Sequence, residues 1–348
     1  MNENLDKSNL RKVILESVEQ IHQEFEIENF PKDIINKFTQ QYTQSFDEII
    51  VSGMGGSALP SELLLSAYFQ LSDNKTLPPV FIHRSYGASR RIRKNSLVMV
   101  VSYSGNTEET LSAYETALEE SEFVVAMAAG GKLIEKAREL KKPFIVLPQP
   151  DIMFQPRYAT LYILKAMLTV LVEYKVIDAG VSERLVKALV NVKPSNFEEK
   201  GKEMATLIKG KTPVIYTSNE FKTAALLWKI KINENAKTPC FWNYFPELNH
   251  NEMVGFTNPQ AKFQFVLLNN ESEAKDRCVK RMKVLQNLFE GRGLDVKNLV
   301  VKDYGNHLAN LVSMILIGDW TAYYLALEYG IDPTPVDMVE EFKELMKD

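Results

Sequence analysis

Short apolar runs set off by turn residues, with helical periodicities between them, recur in two blocks of this chain. In the first block the runs are Ile49-Ile50-Val51, Val80 to His83, Leu97 to Val101, Phe123 to Met127 and Phe144 to Leu147. Each is too short for a helix and apolar at nearly every position, the pattern of a strand buried on both faces. Between them, Ser61 to Phe69, Glu108 to Leu118 and Leu133 to Leu140 carry apolar residues at helical spacing. Strands alternating with helices of about ten residues predict a parallel sheet covered on both sides. The alternation resumes with a strand at Val214 to Tyr216, a helix over Phe221 to Ile232 and an irregular stretch to about Met253. A strand at Phe263 to Leu268, a helix over Ala274 to Phe289, a strand at Val296 to Val301 and a long helix from His307 complete it. The fold class is therefore α/β, with two three-layer αβα domains at residues 46–155 and 211–348.

The remaining segments read as helix. Leu10, Val13, Ile14, Val18, Ile21 and Phe25 fall at helical spacing from Leu5 to about Phe38, so residues 1–45 are expected to form an N-terminal helical extension. Tyr158 to Val190 and Phe197 to Ile208 show no strand between turn signals, which makes 156–210 a helical connection. The most apolar long segments, Tyr158 to Tyr174 and Leu308 to Tyr329, are interrupted by Lys165 and Asp319 and read as buried core helices rather than membrane spans.

Composition narrows the partners. A formal charge of -4 over 348 residues gives no overall cationic field, so neither nucleic acid nor an anionic membrane is expected to bind. The cysteines, Cys240 and Cys278, are too few for a disulfide framework and have no zinc spacing. The N-terminus shows no basic stretch followed by an apolar one, so no secretory leader is expected and a cytoplasmic location fits.

Candidate chemistry sits in two turns about fifty residues apart, Ser52-Gly53-Met54-Gly55-Gly56-Ser57 and Ser102-Tyr103-Ser104-Gly105-Asn106-Thr107. Each follows a predicted strand and precedes a predicted helix, where unpaired N–H groups and the positive end of the helix dipole suit an anion. Gly55 and Gly56 allow close backbone approach, and Ser57, Ser102, Ser104 and Thr107 add hydroxyls, so these six residues are the expected phosphate ligands. Ordinary turn and helix-cap chemistry uses the same residue types, and one such turn alone would be read that way. Neither turn has dinucleotide or Walker spacing. The second block repeats the strand-helix pattern but not the glycine turn, since Thr217-Ser218-Asn219-Glu220 follows its first strand; one anion site per chain is expected.

Gly53 to Ala58, Ser102 to Thr110 (Ser-Tyr-Ser-Gly-Asn-Thr-Glu-Glu-Thr) and Asn233 to Lys237 (Asn-Glu-Asn-Ala-Lys) resemble motifs of the sugar isomerase (SIS) superfamily. Pro246-Glu247-Leu248-Asn249-His250-Asn251-Glu252 is similar to the signature of its bifunctional phosphoglucose/phosphomannose isomerase family, and the resemblance runs from about residue 45 to Lys343. It implies two SIS domains and reversible isomerisation of glucose 6-phosphate and mannose 6-phosphate with fructose 6-phosphate. The reaction would pass through ring opening and a cis-enediolate, with no metal and no organic cofactor. It also implies a homodimer with shared active sites.

By the same resemblance Glu234 is the catalytic base, where its residue type alone would suit a solvated helix end equally well. His250 becomes the ring-opening acid, reaching across the dimer interface; imidazole shuttles protons near neutral pH. Arg157 is expected to stabilise enediolate charge, and Lys343 to enter the site from the C-terminal segment, although a lysine among Glu340, Glu341 and Glu344 also reads as a solvated surface residue. Glu108, Glu109 and Thr110 are expected only to complement a helix start. Two other readings stay open: a non-catalytic SIS-type sugar-phosphate sensor, and an aminosugar-phosphate isomerase.

Overall fold

The computed structural model describes residues 3–41, 46–72 and 76–346. They form two compact units, one running from Ser17 to Val190, the other made of the residues up to Glu16 together with those from Asn191 onward. The expected N-terminal helix is broken into pieces. Helix α1 (Leu10–Glu16) gives way to a 3-10 stretch at Ser17–His22, and α2 (Lys32–Gln41) begins only after an extended passage. Pro31 suits a helix start but not an interior, and Asn29 takes a left-handed φ of 56°. Glu28 pairs antiparallel with Phe144, with N–H···O distances of 2.9 and 3.1 Å, which covers part of a sheet edge. The pieces also belong to different units: Arg11 forks onto the Glu198 carboxylate at 2.8 and 2.9 Å, whereas the Gln20 amide donates to the Tyr158 carbonyl at 2.7 Å. The boundary expected at residue 45 falls against residues 42–45, which lie outside those described.

In the unit from Ser17 to Val190, strands β1 (Ile49–Gly53), β2 (Val80–His83), β3 (Leu97–Val101), β4 (Phe123–Ala128) and β5 (Phe144–Val146) form one all-parallel sheet in the order β2-β1-β3-β4-β5. β1, β3 and β4 are buried at every position, as wholly apolar runs require when both faces are covered. Helices α3 (Gly55–Ala67), α4 (Glu108–Glu120) and α5 (Gly131–Glu139) connect them, and α6 (Thr160–Glu173) and α7 (Ala179–Ala188) follow. α6 packs on α3 and β4, so the helical segment after β5 joins this sheet's core. The chain leaves β1 for β2 on one side and returns to β3 on the other, making the β1/β3 pair the switch point beyond whose carboxyl ends open α/β sheets hold ligands.

The second unit contains α8 (Glu198–Ile208), β6 (Thr212–Ser218), α9 (Lys222–Ala236), β7 (Phe241–Phe245), α10 (Glu252–Gly255), β8 (Phe263–Asn270), α11 (Arg277–Glu290), β9 (Asp295–Val301), α12 (His307–Glu328) and α13 (Asp337–Leu345). Its sheet is also all parallel, ordered β7-β6-β8-β9, which reproduces the first sheet's winding with one strand fewer. β7 corrects the expected irregular stretch. Phe-Trp-Asn-Tyr-Phe has no aliphatic run to mark it, yet its aromatics suit a pleated edge, where Phe241 stays 56% exposed. α9 also runs four residues past its expected end at Ile232, because Asn235 and Ala236 continue its buried face; it stops where Lys237 turns left-handed at φ 51°.

α12 is buried from Leu308 through Leu327 and packs against both α8 and α9. Glycines permit the approach: a Cβ on Gly201 of α8 would lie 2.1 Å from Trp320 Cβ, and one on Gly318 would lie 2.4 Å from the Trp228 ring. Lys231 on α9 pairs with Asp319 on α12 at 2.7 Å, both nearly fully buried. No helix among the described residues is long and apolar enough to cross a membrane. Gly201→Ala is expected to lower unfolding stability by about 1–3 kcal/mol through overpacking, despite alanine's better helix propensity. A urea transition at lower concentration with unchanged slope is the expected signature; an upward shift would show that propensity wins.

Candidate active site

The first two helix starts beyond the switch point are built alike. α3 follows β1 after a single residue, Met54, whose extended backbone supplies no side-chain cap, and Gly55 turns the chain into the helix at φ 49°. α4 begins after Thr107, again without a side-chain cap bond, with Glu108 and Glu109 in its first turn. First-turn amides not claimed by a capping side chain are the donors that an anion uses.

The six expected phosphate residues divide by burial. Ser57 and Ser102 are buried and act as struts: the Ser57 hydroxyl accepts the Tyr103 amide at 2.8 Å, and the Ser102 hydroxyl donates to Thr107 Oγ1 at 3.0 Å. Gly56 and Thr107 are half-buried, while Gly55 and Ser104 are exposed, Ser104 accepting the Asn106 amide at 3.2 Å. Two glycines set the spacing. A Cβ on Gly56 would fall 2.6 Å from the backbone nitrogen of Arg157, and one on Gly105, which sits at φ 71°, would fall 1.8 Å from the Gly130 carbonyl oxygen.

The first contact puts Arg157 against the opening turn of α3. Arg157 lies in a 3-10 turn, Pro156–Tyr158, just ahead of α6. It is buried, donates to Gln155 Oε1 at 3.2 Å and stacks 5.6 Å above the Tyr158 ring centroid. The second contact exposes residues that the sequence reading passed over. The loop after β4 packs Gly130 and Gly131 under the serine turn, the Leu133 amide donates to the Gly105 carbonyl at 2.9 Å, and the Lys132 amide donates to Asn106 Oδ1 at 3.1 Å. A glycine pair straight after a buried strand was the available signal.

In the other unit, Glu234 is half-buried in the last turn of α9, not in an irregular loop. A negative charge there works against the helix dipole, so helix stability does not account for it. His250 closes a short 3-10 turn, Glu247–His250, and is exposed with no hydrogen-bond partner among the described residues. The other histidines are placed differently. His22 is exposed, His83 bonds to the Gly87 carbonyl at 2.9 Å, and His307 stacks on Phe221 at 5.0 Å, where burial lowers its pKa and Glu220 offsets part of that. Lys343 is exposed on α13 and pairs with Glu340 at 2.7 Å, the arrangement of a solvated surface lysine.

The corresponding end of the second sheet has the opposite character. Beyond β6 and β8 the chain places Ser218, Glu220, Glu271 and Glu273, and burial raises the Glu273 pKa against a lowering from the Ser218 hydroxyl. Among the described residues no group of three His, Cys, Asp or Glu side chains is placed to hold a metal ion. A cavity of about 320 Å³ beside Asn249 is lined by Met253, Arg277, Lys280 and Arg281 but includes neither Glu234 nor His250.

Comparison with known proteins completes the picture. Residues 197–346 match the bacterial phospho-glucose isomerase C-terminal SIS domain. A bifunctional phosphoglucose/phosphomannose isomerase of Aquifex aeolicus is 33% identical over 335 residues, 95% of this chain and 97% of that one. One from Caldicellulosiruptor bescii is 35% identical over 86% of this chain and 89% of its own. A D-glucosamine-6-phosphate 4-epimerase of Sulfolobus acidocaldarius is 30% identical over the same shares. Among solved structures, the C-terminal domain of glucosamine-fructose-6-phosphate aminotransferase from Francisella tularensis shares the fold at a TM-score of 0.71, with 13% identity over 94% of this chain and 98% of that one. On identity and coverage together, the chain belongs to the bifunctional phosphoglucose/phosphomannose isomerase family.

Proposed function

We propose that this protein isomerises glucose 6-phosphate and mannose 6-phosphate reversibly to fructose 6-phosphate. What supports the reading is the end of the sheet beyond β1 and β3, where the Ser57–Tyr103 bond joins the two turns that lead into uncapped helix starts and Gly56 brings α3 against Arg157, in a chain of this family. In this reading the backbone amides at Gly55 and Gly56, with the hydroxyls of Ser104 and Thr107, hold the phosphate, while the Ser57 amide donates to the Met54 carbonyl at 3.1 Å. Ser57 ties the first turn to Tyr103 of the second, and Ser102 braces the second turn internally on Thr107.

The chemistry then needs three steps. His250 protonates the ring oxygen as the C1–O5 bond breaks and the C1 hydroxyl gives up its proton, opening the sugar. The Glu234 carboxylate takes the C2 proton and returns it to C1, passing through a cis-enediolate, while the hydroxyl proton passes from O2 to O1. Arg157, permanently charged, stabilises that oxyanion in a buried setting where fixed charge is most effective. The protein acts as a cytoplasmic homodimer in which His250 serves the partner's site, at the hexose-phosphate step shared by glycolysis and gluconeogenesis. A second reading, chemistry on an aminosugar 6-phosphate, is favoured by the Sulfolobus relative.

One coupled assay decides between them. Purified protein is expected to convert glucose 6-phosphate and mannose 6-phosphate at rates that survive exhaustive chelation, and to leave glucosamine 6-phosphate unchanged. Loss of activity with the chelator, or turnover of the aminosugar alone, would overturn the reading.

Variants of the phosphate turns make a separate demand. Ser104→Ala and Thr107→Ala should each weaken substrate binding by about 1–3 kcal/mol, seen as a raised KM. Ser57→Ala should do the same and also lower thermal stability, because the buried Tyr103 amide loses its acceptor. Unchanged KM in all three would place the phosphate elsewhere.

The base and the acid are separable. Glu234→Gln should abolish turnover and leave binding intact, since shape remains while basicity is lost. His250→Ala should fail on cyclic substrate yet still exchange the C2 proton of an open-chain four-carbon sugar phosphate. Mixing the two inactive variants should restore partial activity through heterodimers. Equal loss on both substrates, or no recovery after confirmed subunit exchange, would remove the role given to His250.

A further inference from the structure

The loop that carries His250 is pinned on both sides of the imidazole. Two residues before it, Leu248 is fully buried in the cluster of Tyr216, Phe245, Phe265, Met282 and Leu285. Two residues after it, Glu252 turns its carboxylate back toward the sheet, where both oxygens are occupied. Oε1 accepts the Tyr216 hydroxyl at 2.5 Å and Oε2 accepts the Asn243 amide. Neither partner is free to move. The Tyr216 ring is buried on β6 and packs edge-on to Phe245, and Asn243 on β7 uses its own Oδ1 to accept the Tyr244 amide at 2.8 Å. The flanking contacts are weaker and more exposed, Asn251 to Glu247 at 3.1 Å and Arg281 to Asn249 at 3.3 Å.

A glutamate at the first position of a helix is ordinarily explained by the helix dipole. Here α10 has 4 residues, and the carboxylate is spent on strands β6 and β7 instead. We propose that Glu252 is the positioning residue for His250: its two-point bond to Tyr216 and Asn243 fixes the loop backbone so that the imidazole is held at the ring oxygen of the sugar. The inference rests on the reading that His250 opens the sugar ring. Burial and the carboxylate both keep the Tyr216 phenol protonated, so the donor persists across the working pH range.

The clamp has a polarity that can be reversed. Glu252→Gln either sets an amide N–H against the Asn243 N–H, which cannot flip without abandoning the Tyr244 amide, or sets it against the Tyr216 hydroxyl, which must then turn its own proton away inside the buried cluster; one bond of the clamp is lost in both cases. In the double variant Glu252→Gln with Asn243→Asp, the new amide donates to the new carboxylate, and that carboxylate still accepts from Tyr244. Glu252→Gln should lower kcat on cyclic glucose 6-phosphate by about tenfold or more, within the roughly 10²–10⁴ that a general acid supplies. Proton exchange on the open-chain four-carbon substrate should stay within about twofold of wild type. Tyr216→Phe should show the same split, and the double variant should regain most of the cyclic rate.

Histidine-labelled protein read by NMR supplies a measure that does not depend on turnover, with His250→Ala assigning the signal among the 4 histidines. One sharp His250 resonance is expected in the wild type and the double variant, and a broadened or split one in Glu252→Gln and Tyr216→Phe. An unchanged His250 signal in both single variants would overturn the positioning role, as would equal losses on the two substrates without rescue. A wild-type protein inert toward all the sugar phosphates would instead overturn the isomerase reading, and the NMR comparison would still decide whether Glu252 holds His250.

Discussion

Backbone contact without an intervening Cβ is the constraint on which the candidate site depends. At Gly56 the first turn of α3 touches the backbone of Arg157, and at Gly105 the serine turn touches the loop after β4. A methyl group at either place would occupy the position of a main-chain atom, and main chain cannot step aside as a flexible side chain can. These two contacts gather two helix starts, a buried guanidinium and a third loop at one end of the sheet. The Ser57 hydroxyl then ties the first turn to the second through Tyr103, and Ser102 braces the second on Thr107, leaving Ser104 exposed and Thr107 half-buried.

The two sheets share a winding order but not a charge. Both reverse direction between their first and third strands in sequence, which creates the same kind of crevice twice. In the first sheet that crevice is lined by glycine, hydroxyls and helix amides. In the second it carries glutamates, one of them buried and held above its ordinary pKa. The second unit places Glu234 at the end of α9 and His250 in a loop whose neighbours are bound to β6, β7 and α11.

Much of the fold was legible from the chain itself. Wholly apolar runs of three to five residues predicted β1, β3 and β4 because burial on both faces leaves no room for polar alternation. Where packing rather than periodicity decided, the sequence misled. β7 lacks an aliphatic run because it lies at an edge, and α9 outlasts its apolar pattern because Asn235 and the Lys231–Asp319 pair are buried despite being polar. The N-terminal segment has helical spacing throughout, yet part of it is drawn out to pair with β5.

The site divides in the same way. Local sequence determined the two strand-to-helix turns, since the requirement for glycine and small hydroxyls at such a junction is itself local. It also supplied the motif around His250 and the acid at Glu234. Only the tertiary structure decided that Arg157 meets α3, that Gly130 and Gly131 support the serine turn, that Ser57 is a strut, that Lys343 lies on an exposed helix, and that Glu252 reaches back to Tyr216 and Asn243. Each of these joins residues from separate turns of the chain, or depends on which face a helix turns to solvent. No spacing along the sequence encodes such a distance until the strands have been ordered into a sheet.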